Sequence, residues 1–230
     1  MQSNDSSKVE IFDAIARGRH SCRAFMPEAL PAEKIERLLE LAQRAPSDCN
    51  TQPWTTYLVE GAQLEKLRAA LYERVTSGAE LHHDVAPIEK YEGVLLERRR
   101  ACGWGLYEAV GITKGDRDAS RVQALENFRF FGAPHVAVIT ADASLAERGL
   151  FDAGIYMGYF LLAAEALGIG AVPQAAISHH AGYLREELGI APNHRIVSVV
   201  SFGRKDENHP ANSFRTSRAS LDEAVVFHQG

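Results

Sequence analysis

Seven consecutive residues, Arg17-Gly18-Arg19-His20-Ser21-Cys22-Arg23, gather three guanidiniums, an imidazole and a hydroxyl directly after a short amphipathic stretch. Guanidinium forks give charge-assisted, often bidentate hydrogen bonds to phosphate oxygens, and a serine hydroxyl with turn N–H groups can complete the ring of donors. A plainer reading stands beside this one. Ile11, Phe12 and Ile15 form a helical stripe, and basic residues at the end of a helix complement its dipole. The remaining chain has to decide between a phosphate cradle and a solvated helix end.

The chain has 230 residues, 46% apolar and 24% charged, which is enough for one large domain with a substantial core. A formal net charge of -5 argues against nucleic acid or an anionic membrane as the main partner, so local basic clusters must serve something small. Residues 1–8 read as a flexible N-terminus without a secretory or transit signal, and the cytoplasm is the expected location. Cys22, Cys49 and Cys102 are widely spaced and form no C-x-x-C, so they read as reduced thiols.

Periodicity then places the elements. Val9 to Arg17 predicts a helix, and Pro31-Ala32-Glu33 opens another whose Ile35, Leu38, Leu39 and Ala42 recur at helical spacing. Ala45 to Pro53 is a polar loop rich in turn residues that leads into a strand over Thr55 to Glu60, and Leu64 to Val75 resumes helical spacing. From Ser77 to about Arg121 the pattern is least legible, with charged helical patches and a Gly103-Trp104-Gly105 break; such a region more often roofs a pocket than builds a sheet. His135 to Thr140 reads as a buried strand, Ala171 to Ile177 as a strand interrupted by Pro173, and Arg195 to Phe202 as a β-branched strand. Phe151 to Leu167, whose only charges are Asp152 and Glu165, is a helix apolar nearly all round and therefore buried; it is too short for a membrane span. Residues 204–230 are polar, extended and too poor in apolar groups to form their own core, so they are either disordered or wrapped over a partner subunit.

The usual catalytic motifs are absent: no G-x-x-x-x-G-K-[ST], H-E-x-x-H, G-x-S-x-G or third glycine near Gly103 and Gly105. The adjacent pairs His82-His83 and His179-His180 point to alternate sides and predict no metal site. Chemistry carried by an organic cofactor is left.

Four segments resemble the FMN-dependent nitroreductase family, and in order and spacing they cover most of the chain. Arg19-His20-Ser21 with Arg23 is similar to its phosphate-binding R-x-S-x-[RK] element, and Pro46-Ser47 through Asn50, Gln52-Pro53-Trp54 to its P-S-x-x-N-x-Q-P-W loop. Asp152 through Gly168, ending in Val172-Pro173, resembles its central helix and the loop facing the flavin, and Phe131 to His135 the approach to its middle strand. The resemblance implies an α+β fold: a three-layer α-β-α sandwich around a mostly antiparallel mixed sheet, one FMN-binding domain over residues 9–230, assembled as an intertwined homodimer with FMN at the interface and 204–230 wrapping the partner.

It further implies that Arg19, His20, Ser21 and Arg23 hold the FMN phosphate together with Arg215 or Arg218. The family often has Lys-x-Arg at that place and this chain has Thr216 and Arg218, so Arg218 is the favoured contact and Arg215 a substitute for the lysine. Pro46, Ser47 and Asn50 would line the ring system, Asp48, Cys49 and Tyr107 the acceptor opening, and Pro173, Gln174 and Ala175 the N5 edge, with the Ala175 N–H donating. No side-chain acid or base is required. For Trp54 the structural role of packing under the strand is the favoured one. Trp104, Tyr107, Phe128, Phe130 and Phe131 are candidates for a lid, although such residues more often belong to a core. Asp48, if ionised, disfavours anionic acceptors unless a cation such as one of Arg98 to Arg100 compensates. The implied activity is NADPH- or NADH-dependent reduction of nitroaromatics, nitrobenzoate-like compounds among them, or of quinones, by ping-pong transfer through flavin N5. Other reactions of the family, such as enoyl or aldehyde reduction, reductive dehalogenation or flavin destruction, and a non-enzymatic flavin module stand as alternatives.

Overall fold

The computed structural model describes residues 3–228, so Met1, Gln2, Gln229 and Gly230 lie outside the described residues, including the ends of the segments read as a flexible leader and a wrapping tail. In chain order it forms α1 (Ser3–Gly18), α2 (Ala32–Ala42), β1 (Trp54–Glu60), α3 (Gly61–Ser77), α4 (Gly93–Ala109), α5 (Arg117–Leu125), β2 (His135–Asp142), α6 (Ala146–Ala166), β3 (Gly170–Gln174), α7 (Ala175–Ser178), α8 (Ala181–Leu188), β4 (His194–Gly203) and α9 (Leu221–Ala224). Helix α1 begins at Ser3, within the segment read as a loose leader.

The strands form one sheet in the order β1-β2-β4-β3 with antiparallel neighbours throughout. A parallel contact is added at its β3 edge by the isolated bridge of Ser21 to Ala171, and a second isolated bridge, His82 to His180, lies outside the sheet. Each face carries helices. Val136 and Val138 of β2 point to the layer holding Leu64, Leu67 and Leu71 of α3 and Leu184 of α8, while Ala137, Ile139 and Ala141 point to Leu38 of α2 and Phe160 of α6. Alternate residues of a strand face opposite sides, so a strand covered on both faces must be apolar at every position; all of β2 up to Ala141 is buried. A bulge between Ile139 and Thr140 leaves Val197 of β4 without a register partner, and Ile196 and Val197 pack into opposite layers.

Several expectations need correction. The Gly103-Trp104-Gly105 segment does not break a helix, because it lies inside α4. Glycine is needed there for approach: a methyl group on Gly105 would overlap the Phe214 ring of the C-terminal tail. Strand β3 stops at Gln174 and not at Ile177, since Ala175 to Ser178 turn into α7. Pro173 does not interrupt the strand, because β3 is an edge strand and can forgo one N–H. The tail from 204 is not featureless either; it contains a turn at Pro210–Asn212, with Ala211 and Asn212 buried, and the short α9. Helix α6 buries one face only, and Phe151 and Tyr159 on the other are 60% and 41% exposed in the single chain.

Candidate active site

The basic cluster divides where α1 ends. Arg17, in the last helical turn, pairs with Asp13 at 2.7 Å, which is the helix-end role. Beyond Gly18 the chain runs beside β3, where Ser21 bridges Ala171 and the Cys22 N–H donates to the Ala171 carbonyl at 3.1 Å. Arg23 is therefore fixed at the same sheet edge that leads, through Pro173 and Gln174, to Ala175.

The C-terminal tail closes on this edge from the other side. Buried Asn212 accepts the Arg23 N–H at 2.7 Å and donates to the carbonyls of Ala24 and Asp206, each at 2.8 Å. Arg215 donates to the Asn212 carbonyl at 2.6 Å and is close enough to His20 for its charge to be felt there. Burial first, then the Arg215 and Lys205 charges, hold His20 below its ordinary value, while its Nδ1 rests 2.8 Å from the Gly18 carbonyl. Burial also lowers the Arg23 pKa, and the guanidinium donates to the Ser21 carbonyl at 3.3 Å. Among the described residues, no carboxylate pairs with Arg19, Arg23, Arg215 or Arg218. A half-buried cation without a counter-charge is costly unless an anion completes the site.

Arg218 is turned elsewhere, onto the Thr216 and Ser217 carbonyls and the Thr216 hydroxyl. Both tail arginines line a cavity of about 710 Å³ between α4 and the tail, together with Arg98, Cys102 and Phe214. Of the two, Arg215 is the one whose charge is felt at His20.

Two supporting groups escaped the sequence reading. Lys205 and Glu165 form a half-buried ion pair at 2.8 Å under the cluster, where Gly18 and Gly170 provide the clearance: a methyl on Gly18 would sit 2.7 Å from Glu165 Oε1, and one on Gly170 2.7 Å from Lys205 Cγ. Asn212 is the other. Nothing local marks either, because both act on residues far away in sequence. Cys22, packed beside them, has its thiol pushed up to about 11 by burial and serves as core.

At the end of β3, buried Gln174 donates to the Asn127 carbonyl at 2.8 Å and accepts from the Ser201 hydroxyl. Ala175 then begins α7, and the first N–H groups of a helix have no partner within it.

The loop of residues 46–53 lies at the opposite edge, before β1. Cys49, Asn50 and Gln52 adopt left-handed φ of 47°, 58° and 48°, a conformation that costs non-glycine residues energy and has to be held from outside. The holding contacts are the Ser47 hydroxyl accepting from the Gln52 N–H at 2.9 Å and buried Asp152 of α6 accepting from the Asp48 N–H at 3.1 Å. Trp54 stacks on Tyr156 with ring centres 5.0 Å apart and donates to Gln43 at 2.9 Å, so its role is structural, as expected. Pro46, Ser47 and Asp48 border a cavity of about 230 Å³ with Arg148, Phe151 and Ile155. Arg148, and not one of Arg98 to Arg100, is the cation beside Asp48, at 3.7 Å; Arg98 pairs with Glu223. Tyr107 packs edge-on against Trp104 of α4, while Phe130 and Phe131 are core.

The Nitroreductase family model matches residues 16–204. This chain belongs to the nitroreductase family. Nitroreductase NfnB of Mycolicibacterium smegmatis is 39% identical over 94% of this chain and 92% of its own length. A 4-nitrobenzoate reductase of Nocardioides sp. (strain LMS-CY) is 34% identical over 95% and 90%. Among solved structures, the FMN-dependent nitroreductase NfnB from Mycobacterium smegmatis in complex with NADPH superposes with a TM-score of 0.91 at 36% identity, covering 96% of this chain and 99% of that one. As in a nitroreductase fold, the sheet is sandwiched between helical layers, and among the described residues no helix is long and apolar enough to cross a membrane.

Proposed function

We propose that this protein is an FMN-dependent NAD(P)H oxidoreductase that reduces nitroaromatic acceptors, with quinones as further acceptors, in the cytoplasm. The observation that carries the reading is the tie of the Arg23 segment to the tail that carries Arg215, made through Asn212 beside His20 and Ser21, one short strand away from the Ala175 N–H. That donor set fits a phosphate joined to a flat ring: fixed cations for the anion, then a backbone donor with small neighbours, Ala175 and Ala176, that let the ring approach. His20 and Ser21 complete the phosphate clamp, and Lys205 with Glu165 supports it from below.

FMN, when bound, supplies the relay of a hydride from the nicotinamide to the acceptor. The chain's own residues bind and position. Gln174, tied to Asn127 and Ser201, fixes the backbone that presents Ala175. Pro46, Ser47 and Asn50 line the ring, and Asp48 and Cys49 border the opening where donor and acceptor take turns, which gives ping-pong kinetics. No side chain has to give or take a proton; the reduced product draws its proton from solvent.

Two copies of the chain are required. The clamp and the ring-lining loop sit at opposite edges of the sheet, and Asp152 and Glu165, which mark them on α6, are separated by roughly 20 Å at the helical rise. A two-fold dimer brings the clamp of one copy to the loop of the other. The exposed apolar residues support this arrangement: Tyr159 on α6, Ile11 and Phe12 on α1, and Leu221, Val226 and Phe227 in the tail are all left uncovered in one chain.

The test is anaerobic. Protein purified with FMN should be yellow, lose its colour on addition of NADPH or NADH, and regain it with a nitroaromatic compound. Protein that stays colourless in excess FMN overturns the reading; protein that holds FMN but is not bleached is a flavin-binding module.

A further inference from the structure

We infer that Arg148, loosely paired with Asp48, is a specificity-determining residue that admits aromatic acceptors carrying a carboxylate. The inference rests on the functional reading above and extends it to the substituent on the acceptor. Three observations support it. First, the Arg148–Asp48 pair is open: Nε lies 3.7 Å from Oδ2, beyond hydrogen-bond reach, and both side chains are more than half exposed, so the guanidinium cancels the Asp48 charge while keeping its donors available. Second, Arg148 is not what holds the loop. Asp152, one helical turn further along α6, already does that through the Asp48 N–H, and its carboxylate is buried. Third, the guanidinium is seated over the face of the Phe151 ring, 5.5 Å from its centre, and the ring is itself 60% exposed at the same cavity. A benzene ring at the exposed edge of Phe151 would put a carboxylate substituent against the Arg148 fork. Its other end would point toward Pro46 and Ser47, the groups assigned to the flavin ring.

Without Arg148 the opening carries the unopposed charge of Asp48 and repels anions; without Asp48 the cation has no competitor for the substrate carboxylate. The two variants therefore move selectivity in opposite directions, which a merely structural pair would not do.

The experiment uses the FMN-loaded protein with two readouts. One is the perturbation of the flavin spectrum by benzoate, which carries the carboxylate and cannot be reduced. The other is the ratio of kcat/KM for 4-nitrobenzoate to that for nitrobenzene. Arg148→Met should weaken benzoate binding and lower the ratio, each by about tenfold and chiefly through KM, as expected for the loss of one charge-assisted contact near the surface. Arg148→Lys should restore part of the loss, and Asp48→Asn should raise the ratio. Ratios that move less than about twofold in Arg148→Met, or in the same direction in both variants, overturn the inference. A protein that reduces nitrobenzene with an unchanged ratio sinks this inference alone, whereas one that NADPH cannot bleach sinks the functional reading as well.

Discussion

The two edges of the sheet are built in contrasting ways. At the β3 edge, segments almost 190 residues apart are locked by Asn212, whose bonds reach the backbone of Arg23 and Ala24; Arg23 there is partly buried and, among the described residues, has no carboxylate partner. At the β1 edge, a loop with three left-handed residues is held by a few contacts, and its charges, Asp48 and Arg148, are exposed and of opposite sign. The first is suited to a ligand that stays, the second to ligands that exchange.

The comparison is best broken at the clamp. Replacing Arg19 and Arg23 by Ala removes two charge-assisted donors, each worth about 1.5–3 kcal/mol, so FMN affinity should fall by a hundredfold or more. The protein would be purified colourless and be titrated with FMN; retention of stoichiometric flavin would refute the clamp. Asn212→Ala comes next. It strands the Arg23 N–H and two carbonyls, and at about 1–3 kcal/mol per unsatisfied buried group it should lower both the melting temperature and FMN affinity. Gly105→Ala forces Phe214 off α4 and should cost about 1–3 kcal/mol by overpacking, again with loss of FMN, because the tail carries Arg215.

At the other edge the effects should be smaller and of a different kind. Trp54→Phe keeps the stack on Tyr156 but loses the bond to Gln43, about 1 kcal/mol. It should alter the KM for acceptors and leave the FMN dissociation constant where it was; an equal loss of FMN would erase the distinction between the edges. Acid gives the mildest test. His20, His135 and His180 all lie below their ordinary value of 6.5, with burial as the largest cause, so the unfolded chain takes up protons at a higher pH than the folded one. Their contribution to stability is complete above about pH 6.5 and is lost as the pH falls through the lowered values. Melting temperatures measured across that range should drop on the acid side, and His20→Asn should remove part of the slope.

Much of this was legible in the sequence. Strands β1, β2 and β4 are short β-branched runs bounded by Gly, Pro or turn residues, and each was expected within a residue or two of its observed limits. The segments at both edges were recognisable because their residue types repeat a family pattern. Helix α4 was legible only as a charged helical patch over residues 91–100, and not in its continuation through Gly103 and Gly105. It buries no residue in the single chain and leaves Val94 and Leu95 exposed, so it lacks the one-sided apolar spacing that announces a helix, and its two glycines read as a break. Helix α7 is four residues long, too short to show a period, which is why its alanines were read as continuing β3. Arg148, Lys205 and Asn212 escaped because a side chain's partner across the fold leaves no mark on its neighbours in sequence.

Helix α6 starts at the acceptor opening with Arg148 and Asp152 and ends under the phosphate clamp with Glu165. In a two-fold pair, each such rod would begin in one catalytic pocket and finish in the other. The two reaction chambers would then share their beams.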